Sequence, residues 1–187
     1  GNAIVDKNDL YNKYLIPYKE AVDNGVLTVM ASFNSYNGLK CHASSYLFND
    51  LLKDELGFKG FVISDWRGID EIPGDYKSDI ITSVNAGIDM IMVPGDTIWG
   101  GQPYHKFLKL FKESVNEGSI TEERLDNAVR RILKVKYELG LFKNPYTNRE
   151  YIKDFGSKKH REVAREAVRK SLVVLKNENN LLPLSKN

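Results

Sequence analysis

The sequence predicts an α/β fold, a partial (β/α)8 TIM-type barrel followed by further helices and a linker. Three observations carry this. A helix-patterned segment, a glycine and a short apolar strand follow one another three times between residues 9 and 94, the order that joins parallel strands through helical crossovers. The strands are near-continuous apolar runs, so both of their faces are covered, as in a closed barrel or a doubly wound sheet. The chain has 187 residues, whereas a complete eight-stranded barrel takes about 250; with three strands, half a barrel is the natural size.

The elements follow in order. Residues 9–24, DLYNKYLIPYKEAVDN, place Leu10, Tyr14, Leu15, Tyr18, Ala21 and Val22 at helical spacing before Gly25, a helix and its stop. LTVMASFN, residues 27–34, is the first strand, closed by the turn-like NSYNG. SSYLFNDLLKDELG, residues 44–57, gathers Leu47, Phe48, Leu51, Leu52 and Leu56 on one helical face and ends on Gly57, and GFVISDW follows as the second strand. A third unit joins a helix over 79–87 to the strand IDMIMVP, residues 88–94. A helix over 104–117 comes next. Another starts at a capping box of Ser119 with Glu122 and carries a stripe of Leu125, Val129, Ile132, Leu133 and Leu139. The polar segment 143–158 is a connector. A last helix over 158–176 keeps Val163, Ala164, Ala167, Val168, Ser171 and Leu175 on one side. Residues 1–142 are thus read as barrel, and 143–187 as connector and helix.

Composition removes several function classes. Lysine and arginine number 27 against 25 acids, a formal net charge of +2, and no basic stripe is present, which disfavours nucleic acid as a partner. The most basic region, Lys158 to Lys170, alternates with Glu162 and Glu166 and reads as a solvated helix face. No run of 18 apolar residues and no leader pattern occur, so neither a membrane span nor targeting is expected, and the compartment stays open. Cys41 is the sole cysteine, read as buried packing, and the three histidines, His42, His105 and His160, lack metal-ligand spacing. No GxGxxG or GxxxxGK turn is present, which argues against a nucleotide. Neither a metal nor an organic cofactor is expected.

Asp65 in GFVISDWRGID ends the second strand, and barrel active sites form at the carboxyl ends of strands. That position suits a nucleophilic carboxylate. Capping of the next helix is the competing role. Trp66 beside it can pack on the C–H face of a pyranose, or fill a core. Arg67 can reach substrate hydroxyls or make an ion pair, and Met92 can line a pocket or pack internally. Asp70, Glu71 and Asp75 read as solvated loop acids, Asp89 as structural, and His42 as satisfying loop hydrogen bonds.

The runs VMASFNSYNG, CHASSYLFNDLLKDELGFKGFVISDW, NAGIDMIMVP, RLDNAVRRILKVKYELGLF and HREVAREAVRKSLVVLKNENNLLPL together resemble the β-glucosidases and exo-β-glucanases of glycoside hydrolase family 3, in order and over essentially the whole chain. The resemblance implies the C-terminal half of the barrel domain plus the connector to an absent α/β sandwich domain. It implies Asp65 as the nucleophile, Trp66 as a wall of the subsite beyond the bond that is cut, and β-glucosides or short β-glucans as substrate. It implies that a sugar-gripping lysine–histidine pair and the acid/base glutamate lie on the missing barrel and sandwich segments, supplied in cis or in trans, so that the chain by itself is inactive. Phe33 departs from the family's usual tyrosine before the nucleophile strand and cannot donate a hydroxyl; Tyr36 is the candidate substitute. A noncatalytic half-barrel scaffold and an N-acetylhexosaminidase of the same family are the alternatives. The second is disfavoured because Trp66 stands where that branch has an acid.

Overall fold

A computed structural model describes residues 1–95 and 101–185. Two compact units divide the chain, residues 1–144 and 145–187. The first opens with β1 (Asn2–Ala3), then α1 (Lys7–Asp9), a wide π turn (Leu10–Tyr14) and α2 (Ile16–Asp23). Pro17 falls in the first turn of α2, where its missing N–H costs nothing.

Two parallel strands form the centre, β2 (Thr28–Met30) and β5 (Phe61–Ile63), with Thr28 opposite Phe61 and Met30 opposite Ile63. Between them the chain makes a small hairpin, β3 (Ser35–Tyr36) and β4 (Leu39–Lys40), which joins β1 in a second sheet of order β1-β3-β4. Its turn is Asn37-Gly38, at φ 48° and 87°, the left-handed pair that matches strand twist. The strand expected over 27–34 is therefore shorter, and the segment read as a turn supplies an extra hairpin.

The strand expected over 88–94 is reduced to a single parallel bridge, Met90 to Ile63. Its ladder is interrupted on both sides. Asp89 and Met90 both donate their N–H to Val62 O, at 2.8 and 3.0 Å, so two residues oppose one, as in a bulge. Met92 N–H then goes to the side-chain Oγ of Ser64 at 2.8 Å, leaving the backbone ladder.

Helical segments cover the sheet. Tyr46–Glu55 is a π-helical segment burying Phe48, Leu51 and Leu52. Phe48 and Leu52 join Val62, Phe58, Ala31 and Ile88 in one core cluster. A second cluster sets Ile69, Ile72 and Tyr76 against Ile80, Val84 and Ile120, joining α3 (Tyr76–Asn85) to α4 (Tyr104–Asn116). α3 begins earlier than the apolar pattern indicates because Asp75 caps it, accepting from the N–H groups of Lys77 and Ser78 at 3.0 and 3.1 Å. Asp75 is solvent-exposed, as expected, and caps this helix as well. α5 (Glu122–Glu138) is capped by Thr121, which accepts from Arg124 N–H at 3.1 Å; the expected Ser119 box does not form.

The buried face of α5 also differs from the apolar stripe. Ala128 and Val135 are buried while Val129, Leu133 and Leu139 are exposed. Two arginines hold the helix instead. Arg131 donates to the carbonyls of Phe58 and Gly60 at 3.1 and 2.7 Å, and Arg124 to those of Val84 and Ile88 at 2.8 and 2.9 Å. Arg124 also reaches Asp89 Oδ1 at 2.7 Å, and Lys53 reaches the same oxygen at 3.1 Å. Asp89 Oδ2 accepts Val62 N–H at 2.9 Å. This buried cluster welds α5 and the Tyr46–Glu55 helix to the amino ends of the strands. Burial pulls the Lys53 ammonium down to about 8, against the opposing pull of Asp89.

In the second unit, Asn148 caps a 3₁₀ turn (Arg149–Lys153) and Ser157 caps α6 (Lys158–Ser171). α6 stops at Ser171, short of the expected end at 176, because Leu172 takes an extended conformation at φ −66°, ψ 131°. Val163, Val168 and Leu175 are solvent-exposed.

Candidate active site

The carboxyl end of β5 runs through Ser64 into Asp65. Ser64 is fully buried; its N–H binds Met90 O at 2.9 Å and its Oγ accepts from Met92. Both bonds of this serine fix the position at which Asp65 leaves the sheet. A polar residue inside an otherwise apolar run is the sequence signal for such a tie.

Asp65 is half-buried. Its Oδ1 accepts Trp66 N–H at 2.6 Å, while Oδ2 accepts no hydrogen bond among the described residues. The Asp65 side chain therefore does not cap a helix; Asp75 does. The Asp65 backbone N–H donates to Nε2 of His42 at 3.0 Å, so His42 satisfies the loop as expected. His42 is wholly buried, and burial lowers its imidazole to about 4, with Asp65 opposing and Lys40 reinforcing that shift.

Asp65, Trp66, Arg67 and Phe33 line one open hollow of about 520 Å³. Trp66 is 49% exposed, so its indole is a surface wall and not a core residue. Phe33 also faces solvent, with Lys40 Nζ 5.6 Å from its ring centroid. Arg67 has φ 58°, the left-handed region, where a non-glycine residue is held only by its surroundings. Its guanidinium meets Glu71 at 3.0 Å, and Glu71 lies 3.8 Å from Lys40. Lys40 is the site neighbour that sequence reasoning missed; Glu71, read as a solvated loop acid, is a partly exposed partner in the ion pair that is one of the two roles expected of Arg67. The i, i+4 spacing of Arg67 and Glu71 is the available signal.

Met92 is half-buried and is not among the described residues lining the hollow. Tyr36 lines a different, apolar hollow beside Leu10 and Leu51, so it does not replace a hydroxyl lost at Phe33. Asp70 and Asp79 also differ from solvated acids. Burial raises both, Asp79 to about 6, and each keeps a buried oxygen without a partner among the described residues. Cys41 is buried, as expected, and burial raises its thiol. Among the described residues no three histidine, cysteine or acidic side chains are arranged to hold a metal ion, and no helix is long and apolar enough to cross a membrane.

This arrangement, a carboxylate at a strand end beside an exposed indole, lies inside a known domain. Residues 2–135 match the glycosyl hydrolase family 3 N terminal domain. The chain belongs to glycosyl hydrolase family 3. A periplasmic β-glucosidase of Salmonella typhimurium is 37% identical over 95% of this chain and 23% of its own length. A β-xylosidase of Formosa agariphila is 35% identical over 98% of this chain and 26% of its own. The crystal structure of an exo-1,3/1,4-β-glucanase from a Pseudoalteromonas species superposes with a TM-score of 0.77 at 38% identity, covering 99% of this chain and 23% of that one. This family 3 chain thus spans about a quarter of the length of the curated relatives it matches.

Proposed function

We propose that this chain is the nucleophile-bearing part of a retaining β-glycosidase that hydrolyses β-glucosides or short β-glucans. One observation carries the reading. Asp65 stands at the carboxyl end of a buried parallel strand with Oδ1 held by a backbone N–H and Oδ2 accepting no hydrogen bond among the described residues, in a hollow walled by an exposed indole. In this account Oδ2 attacks the anomeric carbon as the glycosidic C–O bond breaks, and the departing oxygen takes a proton from a carboxylic acid outside this chain. Water then attacks the glycosyl–aspartyl ester, giving its proton to the same acid, now the base. Trp66 walls the leaving-group side, Phe33 and Arg67 flank the sugar, and Met92 acts through its N–H on Ser64, the residue before the nucleophile. No cofactor is required by these steps.

The parallel strands are read as the later part of an eight-stranded barrel, residues 1–142, with 143–187 as the connector toward a sandwich domain. The remaining barrel and sandwich segments act in cis or in trans, and without them the chain does not turn over substrate. The β-xylosidase relative favours a second reading, a pentoside substrate, which paired aryl β-glucoside and β-xyloside rates separate.

The test is Asp65→Gly in the complete enzyme with an activated aryl β-glucoside and azide. Azide should attack the anomeric carbon, expel the phenolate and restore turnover with α-glucosyl azide as product. Wild-type hydrolysis by the variant without azide would overturn the assignment.

A further inference from the structure

We infer that His42 is a positioning residue for the nucleophile: its neutral imidazole, through Nε2, fixes the backbone of Asp65 and thereby the aim of the carboxylate. This rests on the reading of Asp65 as the nucleophile. Three observations on different segments converge on it. The first is the bond itself, Asp65 N–H to His42 Nε2 at 3.0 Å. An N–H can be accepted there only if Nε2 carries no proton, so the ring is the neutral Nδ1–H tautomer. Nδ1 is buried without a partner among the described residues, so among these the Asp65 amide is what orients the ring by hydrogen bonding.

The second is the seat of the ring. His42 is 0% exposed, on the 3₁₀ turn Cys41–Ala43 that follows β4. A Cβ on Gly68 would stand 2.1 Å from Nε2 and 2.3 Å from Cε1. The glycine three residues after Asp65 is therefore the gap the imidazole occupies, and a larger residue there would drive the ring off the Asp65 amide.

The third is the turn that the ring supports. Gly68 N–H binds Asp65 O at 3.0 Å, and Arg67 between them sits at positive φ. Trp66 N–H in the same turn holds Asp65 Oδ1. The amide and one carboxylate oxygen of Asp65 are thus both fixed, and Oδ2, which accepts no hydrogen bond among the described residues, is the oxygen presented for attack. Small errors in such an alignment carry large rate penalties.

Protonation of the ring would replace the acceptor at Nε2 with a donor facing another donor. Asp65 and Lys40 act on the ring directly. The turn Gly68–Glu71 and α3, both packed against the Cys41–Ala43 turn, bring Asp70, Glu71, Tyr76, Lys77 and Asp79. The balance keeps the ring neutral through the mildly acidic range, because burial lowers it to about 4.

The experiment compares His42→Gln with His42→Asn in the complete enzyme, reading the rate at which a 2-deoxy-2-fluoro-β-glucosyl fluoride labels Asp65. The glutamine oxygen reaches the place of Nε2; the asparagine oxygen falls at the place of Nδ1 and cannot reach the amide. Labelling should stay near the wild-type rate in His42→Gln and fall by ~10- to 100-fold in His42→Asn at matched melting temperature. Equal rates in the two variants would overturn the proposal. Should His42→Asn not fold, the pH profile decides: the wild type loses labelling on the acid side more steeply than His42→Gln, and profiles of one shape would overturn it. A wild-type enzyme with no label on Asp65 would instead defeat the nucleophile assignment and this proposal with it.

Discussion

Asp89 and Asp65 stand at opposite ends of neighbouring parallel strands, one residue before the Met90 bridge and two residues after its partner Ile63. The Asp89 side chain is fully buried, and its oxygens are taken up by Lys53, Arg124 and the amide of Val62. Asp65 is half-exposed and, among the described residues, accepts one amide hydrogen bond on Oδ1 and none on Oδ2. The same side chain has two fates. A carboxylate whose lone pairs are all engaged by cations and amides anchors structure, and one aimed by its backbone but left partly unsatisfied can react. The parallel fold separates the two along a few residues of strand, as in barrels where the amino face serves stability and the carboxyl face chemistry.

This contrast can be broken from either end. The largest effect is expected from Asp65→Asn, which should lower turnover of the complete enzyme by about 10⁴-fold or more while its melting temperature stays put; steady-state kinetics with calorimetry would check both. Asp89→Asn should do the reverse. It leaves Lys53 and Arg124 buried without their counter-charge, a loss of about 3–5 kcal/mol in stability visible in urea unfolding, with kcat of the folded fraction unchanged.

Acid supplies a third probe. His42 has a folded-state value of about 4 against 6.5 for the free side chain, so the folded protein binds fewer protons than the unfolded chain between those values. Its contribution is intact above pH 6.5 and is lost as pH falls through the window, about 3 kcal/mol by pH 4. Unfolding free energies of wild type and His42→Gln measured from pH 7 to pH 4 should diverge by that amount. The smallest effect concerns the hollow itself. Phe33→Tyr adds a hydroxyl donor beside the site, and a hydrogen bond to a charged group is worth about 1.5–3 kcal/mol; part of this should appear as raised turnover, and unchanged kinetics would remove residue 33 from the mechanism.

The parts of this molecule legible in its sequence are those written in local periodicity. Helix, glycine and apolar strand alternate visibly, and β2, β5 and α3 to α6 occur where that alternation places them, with shifted ends. Asp65 and Trp66 are legible because a charged residue and a large aromatic interrupt an apolar strand at its end. What escapes depends on side chains meeting backbone far along the chain. Arg131 binds carbonyls 71 and 73 residues away, and that bond turns α5 so that Val129 and Leu133 of the apparent stripe face outward. Ser64 takes the N–H of Met92 and so ends a strand that its own residues favour. The Asn37-Gly38 hairpin is visible as a turn, but the two-residue strands flanking it are too short to show a period.

Everything above turns on whether Asp65 forms a covalent bond to sugar. The most direct measurement is peptide mapping by mass spectrometry of the complete enzyme after exposure to a 2-deoxy-2-fluoro-β-glucosyl fluoride. One fluoroglucosyl increment is expected on the peptide containing Asp65, absent from Asp65→Asn; an increment on another residue would contradict the assignment.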